Sequence, residues 1–437
     1  MAAALVVLGV AVQQSYRVTL KLQDPLGGHI NDFDRWMLMT PAFVRDGADY
    51  INDLLPTPPI SLIVLAPFTA LPRPSAQFAW VCLKFPLALL VFVVVLRLVR
   101  RSGGGLTPAA AALVLAGWWL PVILDMQEGQ TNFLALAPLV VGLYVAQRET
   151  RRCEIAAGLL IGLASAMKVT PAVFAVYFAW RRRWAVAAAA AVGGAACLLA
   201  VPALVFGWSQ NLRWLEQWGR IMILPYLVRG TVVYAMSQSV GSFALRLFSS
   251  VPVFETSRAG LSEPHYMNLF AFSPGAVFAA VRAVMVGVGA AGLIWMRRPL
   301  PTLRCRRYLV ELGAVAAFML WFSERTWVHH YVSFILTLAA AGATMSDPAE
   351  SEARRRLVRA ALMLFAAVTL LASEAGRVLG ANGVDWAKGA GVFLWPSVFL
   401  TAAVTCRWRR AERASITGAL PVFRYADRGS SLGVIGD

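Results

Sequence analysis

Apolar residues recur along this chain in long runs, and short clusters of charge separate them. The runs fall at 1–16, 76–96, 107–124, 131–147, 154–166, 170–180, 184–206, 272–295, 309–322, 328–345, 357–374 and 388–406. Several approach the roughly 20 residues that a helix needs to cross a bilayer, and others fall short. The pattern predicts an all-α polytopic membrane protein with about 11–13 transmembrane helices, some of them short or broken. A stretch at 60–71 predicts a further partial element. The runs 154–166 and 170–180 are too short to cross singly, and Lys168 and Pro171 stand at their junction. They are expected to meet partway through the membrane, where irregular backbone survives only against protein or water. The Ala-rich run 185–191 predicts close helix packing. One integral-membrane domain is expected over 1–413, with outer segments at about 17–75 and 207–271 and a cytoplasmic tail at 414–437.

Composition points the same way. Of 437 residues, 59% are hydrophobic and 14% charged, against about 25% charged in ordinary soluble domains. The net charge of +17 would suit a nucleic-acid partner, but the charges sit between apolar runs, as at Arg100-Arg101, Arg151-Arg152, Arg181-Arg182-Arg183, Arg304-Arg306-Arg307 and Arg354-Arg355-Arg356. Short basic loops beside spans mark the cytoplasmic side. With the N-terminus inside, these clusters share one face and both termini are cytoplasmic, so the expected surroundings are the lipids of the cell membrane and not nucleic acid. The first run lacks a basic leading region and a cleavage site, and reads as a span instead of a signal peptide. The five Cys, at 82, 153, 197, 305 and 406, match no metal spacing and behave as small hydrophobes.

The same topology gathers the unusual polar residues at the outward ends of the spans. They are Asp125, Glu128, Gln130 and Asn132, then Lys168 and Thr170, then Glu324, Arg325, His329 and His330. Ionisable groups beside apolar spans are costly and are functional candidates for that reason. Lys168 needs a partner, water or an anion. A phosphate would satisfy its three donors, and snorkelling or pairing with a nearby acid is the plainer alternative. In Asn31-Asp32-Phe33-Asp34-Arg35-Trp36, two acids and an Arg could bind a cation, activate a hydroxyl or simply be solvated. Adjacent His residues point apart on a helix, which favours hydrogen bonding to phosphate or sugar over shared metal ligation. No P-loop, Rossmann fingerprint, His-Glu-x-x-His or Gly-x-Ser-x-Gly stretch is present, and no closed metal-ligand set is evident.

Four stretches, in this order and spacing, resemble the integral-membrane glycosyltransferases of family 87, of the broad GT-C fold. They are the acidic segment Asp32 to Tyr50 with Pro58-Pro59 and Ala66-Pro67; Gln127-Glu128-Gly129-Gln130-Thr131-Asn132-Phe133-Leu134, similar to the family's Gly-Gln-x-Asn-x-Leu; Gly162 through Lys168-Val169-Thr170-Pro171 to Arg181-Arg182-Arg183-Trp184; and Ser323 through His330, similar to the family's Trp-x-His-His. The resemblance covers most of the chain. It implies transfer of a mannosyl or arabinofuranosyl unit from a polyprenyl-phosphate donor to a hydroxyl of a glycolipid or lipid-anchored glycan, outside the cytoplasm and with inversion. By position it makes Asp34 the general base, with Asp32 the second choice. Lys168, His330, His329, Arg35 and Arg325 would then hold the donor phosphate. Gln130, Asn132, Glu128, Asp125 and Glu324 would hold sugar or acceptor. The scheme requires no cofactor, although the acidic first segment leaves room for a divalent cation. The competing reading is a transporter or flippase of a polar or lipid-linked solute, a class with equally many spans and broken helices.

Overall fold

The computed structural model describes residues 32–50, 55–225, 237–258 and 261–405. The expected span 1–16, the tail 414–437 and Cys406 lie outside them. In chain order the elements are α1 (Asp32–Asp46), α2 (Ile60–Leu65), α3 (Arg73–Arg101), α4 (Pro108–Gln127), α5 (Asn132–Ala146), α6 (Arg151–Met167), α7 (Ala172–Trp180), α8 (Trp184–Phe206), α9 (Trp208–Trp218) and α10 (Val240–Phe248). A short antiparallel hairpin follows, β1 (Phe254–Arg258) with β2 (Leu261–His265), in which Phe254 lies opposite His265. Then come α11 (Pro274–Met296), α12 (Arg306–Phe322), α13 (Val328–Met345), α14 (Glu352–Gly389) and α15 (Leu394–Thr405). Among the described residues the hairpin is the exception to a helical architecture. Among the described residues, six stretches are long and apolar enough to cross a membrane: α3, α4, α8, α11, α13 and Asn382–Thr405. The higher helix count drawn from sequence depends on shorter helices such as α5, α6, α7 and α12.

The elements begin and end where local chemistry dictates. The Thr107 and Ser273 hydroxyls accept from the amides of Ala110 and Ala276, and Pro108 and Pro274 follow them at the first helical position. α6 stops at Lys168, whose backbone is extended, at φ −146° and ψ 135°, just short of Pro171. α7 has nine residues and therefore rises only about 14 Å, roughly half a hydrocarbon core. Lys168 thus separates the longer arm α6 from an arm of half-crossing length. α6 and α8 approach backbone to backbone. A Cβ on Gly158 would sit 2.3 Å from the Val186 carbonyl oxygen, and one on Gly162 2.5 Å from that of Ala190. Small residues permit such contact, as expected for the run 185–191. Near the chain's end the expected spans 357–374 and 388–406 are differently divided. α14 runs on to Gly389 and bends at Gly380, whose φ of +67° suits glycine.

Helix directions sort the ends of the bundle into two sets. One end holds the last residues of α4, α6 and α12 and the first of α5 and α13. The opposite end holds the basic clusters. There Arg183 pairs with Glu149 and Glu154, and the Arg101 guanidinium lies 4.3 Å over the Tyr144 ring. Glu311, buried, is paired with Arg181 and receives hydrogen bonds from Tyr177 Oη at 2.9 Å and Arg307 Nε at 3.0 Å.

Candidate active site

The site starts from the turn between α4 and α5. Gly129 has φ +65°, and a Cβ there would stand 2.3 Å from Phe33 Cβ. Only glycine lets α1 sit this close. Phe33 stacks on Trp80 at 4.8 Å, Trp80 Nε1 donates to the Gly129 carbonyl at 2.8 Å, and the Asp32 amide donates to the Glu128 carbonyl at 3.2 Å. These contacts dock the first turn of α1 on the 128–131 turn and bring Asp32 to Gln130, whose Nε2 donates to its carboxylate. Arg35 completes an ion pair with Asp32 one helical turn on.

Asp32 and Asp34 lie about 200° apart around the helix, so they serve different surfaces. Asp34 is 2% exposed. Its carboxylate accepts from Arg73 Nη2 and Gln77 Nε2, both at 2.6 Å, and so fastens α1 to α3. Asp32 instead faces a cavity of about 510 Å³. Burial raises the Asp32 pKa above its usual value, and Arg35 opposes that shift.

Of the residues singled out from sequence, Asp32, Arg35, Gln130, Asn132, Lys168, Glu324, Arg325, His329 and His330 all line this cavity. Asp34, Glu128 and Asp125 do not. Glu128 reaches the site through its carbonyl, as described. Asp125 is fully buried behind the wall, 2.6 Å from Lys84 Nζ, and accepts from Asn132 Nδ2 at 2.8 Å. Asn132 Oδ1 in turn accepts from Lys168 Nζ. The Trp327 amide donates to His330 Nδ1 at 3.0 Å. That nitrogen is therefore an acceptor, and the neutral ring carries its proton on Nε2. The loop bearing Glu324 is pinned by Gln238, whose amide donates to the Thr326 carbonyl at 2.5 Å and whose side chain bridges Lys388 and Phe393. Burial pushes the Glu324 carboxyl up to about 7 against the pull of Arg282 and Arg325.

The rest of the wall is largely apolar, with Arg282 and several Ser and Thr side chains among it. On α11, Phe278, Val281, Arg282 and Met285 line the cavity at the i, i+3, i+4, i+7 spacing of one helix face. Val284, Val286 and Ile294 are exposed on the same helix, which therefore partitions cavity from exterior. Met167, Met222 and Met319 also line the cavity, each from a different element. Among the described residues no three His, Cys, Asp or Glu side chains converge as a metal site would require.

Sequence reasoning overlooked Lys84, Arg282 and Gln238. Each of the two cations is a lone charge inside an apolar run, a signal that attention to loop clusters passes over. Gln238, a neutral loop residue, carried no comparable mark.

Three curated relatives come from mycobacteria. A polyprenol-phosphate-mannose-dependent alpha-(1-2)-phosphatidylinositol mannoside mannosyltransferase of Mycobacterium tuberculosis is 26% identical over 83% of this chain and 79% of its own length. Its namesake in Mycolicibacterium smegmatis is 27% identical over 63% of this chain and 58% of its own length. A pentamannoside mannosyltransferase of the latter organism, likewise polyprenol-phosphate-mannose-dependent, is 33% identical over 31% of each chain. No solved structure gives a significant match. Residues 57–323 match glycosyltransferase family 87, and with this cavity at one end of a helical membrane bundle the chain belongs to that family, whose GT-C-fold enzymes transfer a sugar from a polyprenyl-phosphate donor.

Proposed function

We propose that the protein transfers a mannosyl unit from polyprenyl-phosphate mannose to a hydroxyl of a lipid-anchored glycan, with inversion, on the extracytoplasmic face of the cell membrane. One observation carries the proposal: a single cavity collects the Asp32 carboxylate and the cations Lys168 and Arg282 in a lining otherwise rich in methionine and other apolar side chains. Mannose rests on the activity named for each of the three relatives. The extracytoplasmic side follows from the basic clusters at the opposite end of the bundle.

In this scheme Asp32 is the general base and Asp34 an anchor, reversing the order of preference drawn from sequence. The acceptor oxygen forms a bond to the anomeric carbon as its proton passes to Asp32 within about 2.6–3.2 Å. The bond from that carbon to the phosphate oxygen breaks, and its electron pair leaves on the phosphate. Lys168 and the Nε2–H of His330 meet the developing charge, with Arg282 beside them, and so favour the transition state over the ground state. One carboxylate suffices because the leaving group is a phosphate, whereas glycosidases ordinarily employ two. Gln130 holds Asp32 in place, and Glu324 and Arg325 face the acceptor. The prenyl chain gains about 0.8 kcal/mol per CH₂ relative to water, but it arrives from the bilayer, so most of that gain cancels. Recognition therefore rests on phosphate and sugar.

The test is transfer by purified protein in nanodiscs, with mannosyl and arabinofuranosyl polyprenyl-phosphate donors and a panel of phosphatidylinositol mannosides. Mannose transfer with a new inverted linkage is expected. Exclusive use of the arabinosyl donor, or movement of donor across vesicles without a new glycosidic bond, overturns the proposal.

A further inference from the structure

Lys84 and Asp125 form a buried ion pair beside the cavity that the reaction leaves unused. Their side chains are both wholly inaccessible, and Lys84 Nζ lies 2.6 Å from Asp125 Oδ1 and donates to the Asp125 carbonyl at 2.5 Å. Such a pair seldom stabilises a fold more than apolar residues of the same volume would, because both ions lose their hydration. What the pair touches suggests a different use. Asn132 spends one Nδ2 hydrogen on Asp125 Oδ2 at 2.8 Å and the other on the His329 carbonyl at 3.3 Å, leaving its Oδ1 to accept from Lys168 Nζ. The amide is thereby fixed in one of its two orientations. The reversed amide would aim two N–H groups at an ammonium.

We propose that Lys84 and Asp125 are positioning residues: the buried pair locks the Asn132 amide so that Lys168 is held at the cavity wall, ready for an anionic phosphate. Ionised Asp125 accepts from Asn132 on Oδ2 and meets Lys84 on Oδ1 at once, and Lys84 supplies the balancing charge. Remove Lys84, and Lys168 is the other cation acting on Asp125. It is then drawn off the wall toward the carboxylate, or Asp125 takes a proton on the oxygen that faces Asn132 and sets an O–H against the amide N–H. The same amide ties α4, the end of α6 and the start of α13 together, so its orientation sets the spacing of Lys168 and His329.

This inference rests on Lys168 as the donor-phosphate ligand, so the experiment separates the two. Farnesyl phosphate is titrated into full-length protein in detergent, with thermal unfolding recorded for every variant. Lys168→Ala should weaken binding at least about tenfold. Unchanged binding there removes the phosphate role of Lys168 and this inference with it. Given that loss, Lys84→Met should also weaken binding by about tenfold. Lys84→Met/Asp125→Asn should recover to within about threefold of wild type, because the carboxamide oxygen introduced at position 125 still accepts from Asn132 and no unpaired charge remains. Binding by Lys84→Met equal to wild type, or a double variant no better than the single, overturns the positioning role while leaving that of Lys168 intact. If Lys84→Met does not fold, Lys84→Met/Asp125→Asn is compared with Lys84→Met/Asp125→Leu. Stronger binding by the carboxamide form at similar unfolding temperature supports the lock, and equal binding overturns it.

Discussion

At the scale of single residues, the two acids of the Asp32-Phe33-Asp34 stretch face different surroundings, Asp32 the cavity and Asp34 the start of α3, and the proposed mechanism gives them different roles. D32N should lower turnover by about 10²–10⁴-fold while farnesyl phosphate still binds, since a general base contributes that much. D34N should retain transfer but unfold at lower temperature, because it weakens the tie between α1 and α3. A transfer-dead D34N beside an active D32N would falsify the assignment. The candidates themselves are legible in sequence. Which acid faces the cavity is not, because sequence reads 17–75 as a loop, and only a helix beginning at Asp32 sends alternate acids to opposite sides. Glu324 gives a second measurable consequence. Its pKa is raised to about 7 by burial, so the folded state holds a proton that the unfolded state releases. This contribution to stability is full below the ordinary glutamate pKa and is lost as pH climbs toward 7. E324Q should therefore stabilise the protein, relative to wild type, more at pH 8 than at pH 5 when melting is followed by tryptophan fluorescence. A pH-independent difference would count against it.

At the scale of elements, the α4–α5 turn determines where α1 lies. Gly129→Ala places a methyl against Phe33 and strains a left-handed residue, so it should destabilise by about 1–3 kcal/mol. It should also reduce transfer more than a distant core substitution of equal destabilisation does, because Asp32 moves with α1. Melting temperatures and turnover of the two variants, measured together, check this. The spans are legible because twenty-residue apolar runs have few other uses, and the α6–α7 break because Pro171 follows a lone lysine. The Lys84–Asp125 pairing is hidden because its partners are 41 positions apart in different spans, and nothing local couples them. The α14 bend is hidden because Gly380 lies among polar and small residues, where hydropathy gives no edge.

At the scale of the whole molecule, the two ends of the bundle differ: the basic clusters gather at one, and the cavity occupies the other. Cysteines introduced at Ala349 and Leu269, both exposed, should report the two sides separately. In intact cells an impermeant maleimide should label Leu269→Cys and leave Ala349→Cys untouched until the membrane is opened. Labelling of both from outside would refute the orientation. The methionine-rich lining has its own consequence. Unbranched thioether chains adapt to many shapes, so this surface measures neither the length nor the saturation of whatever tail lies along it. Donors built on farnesyl and on much longer isoprenoid carriers should turn over at comparable rates, leaving the choice among carbohydrates to the polar part of the lining.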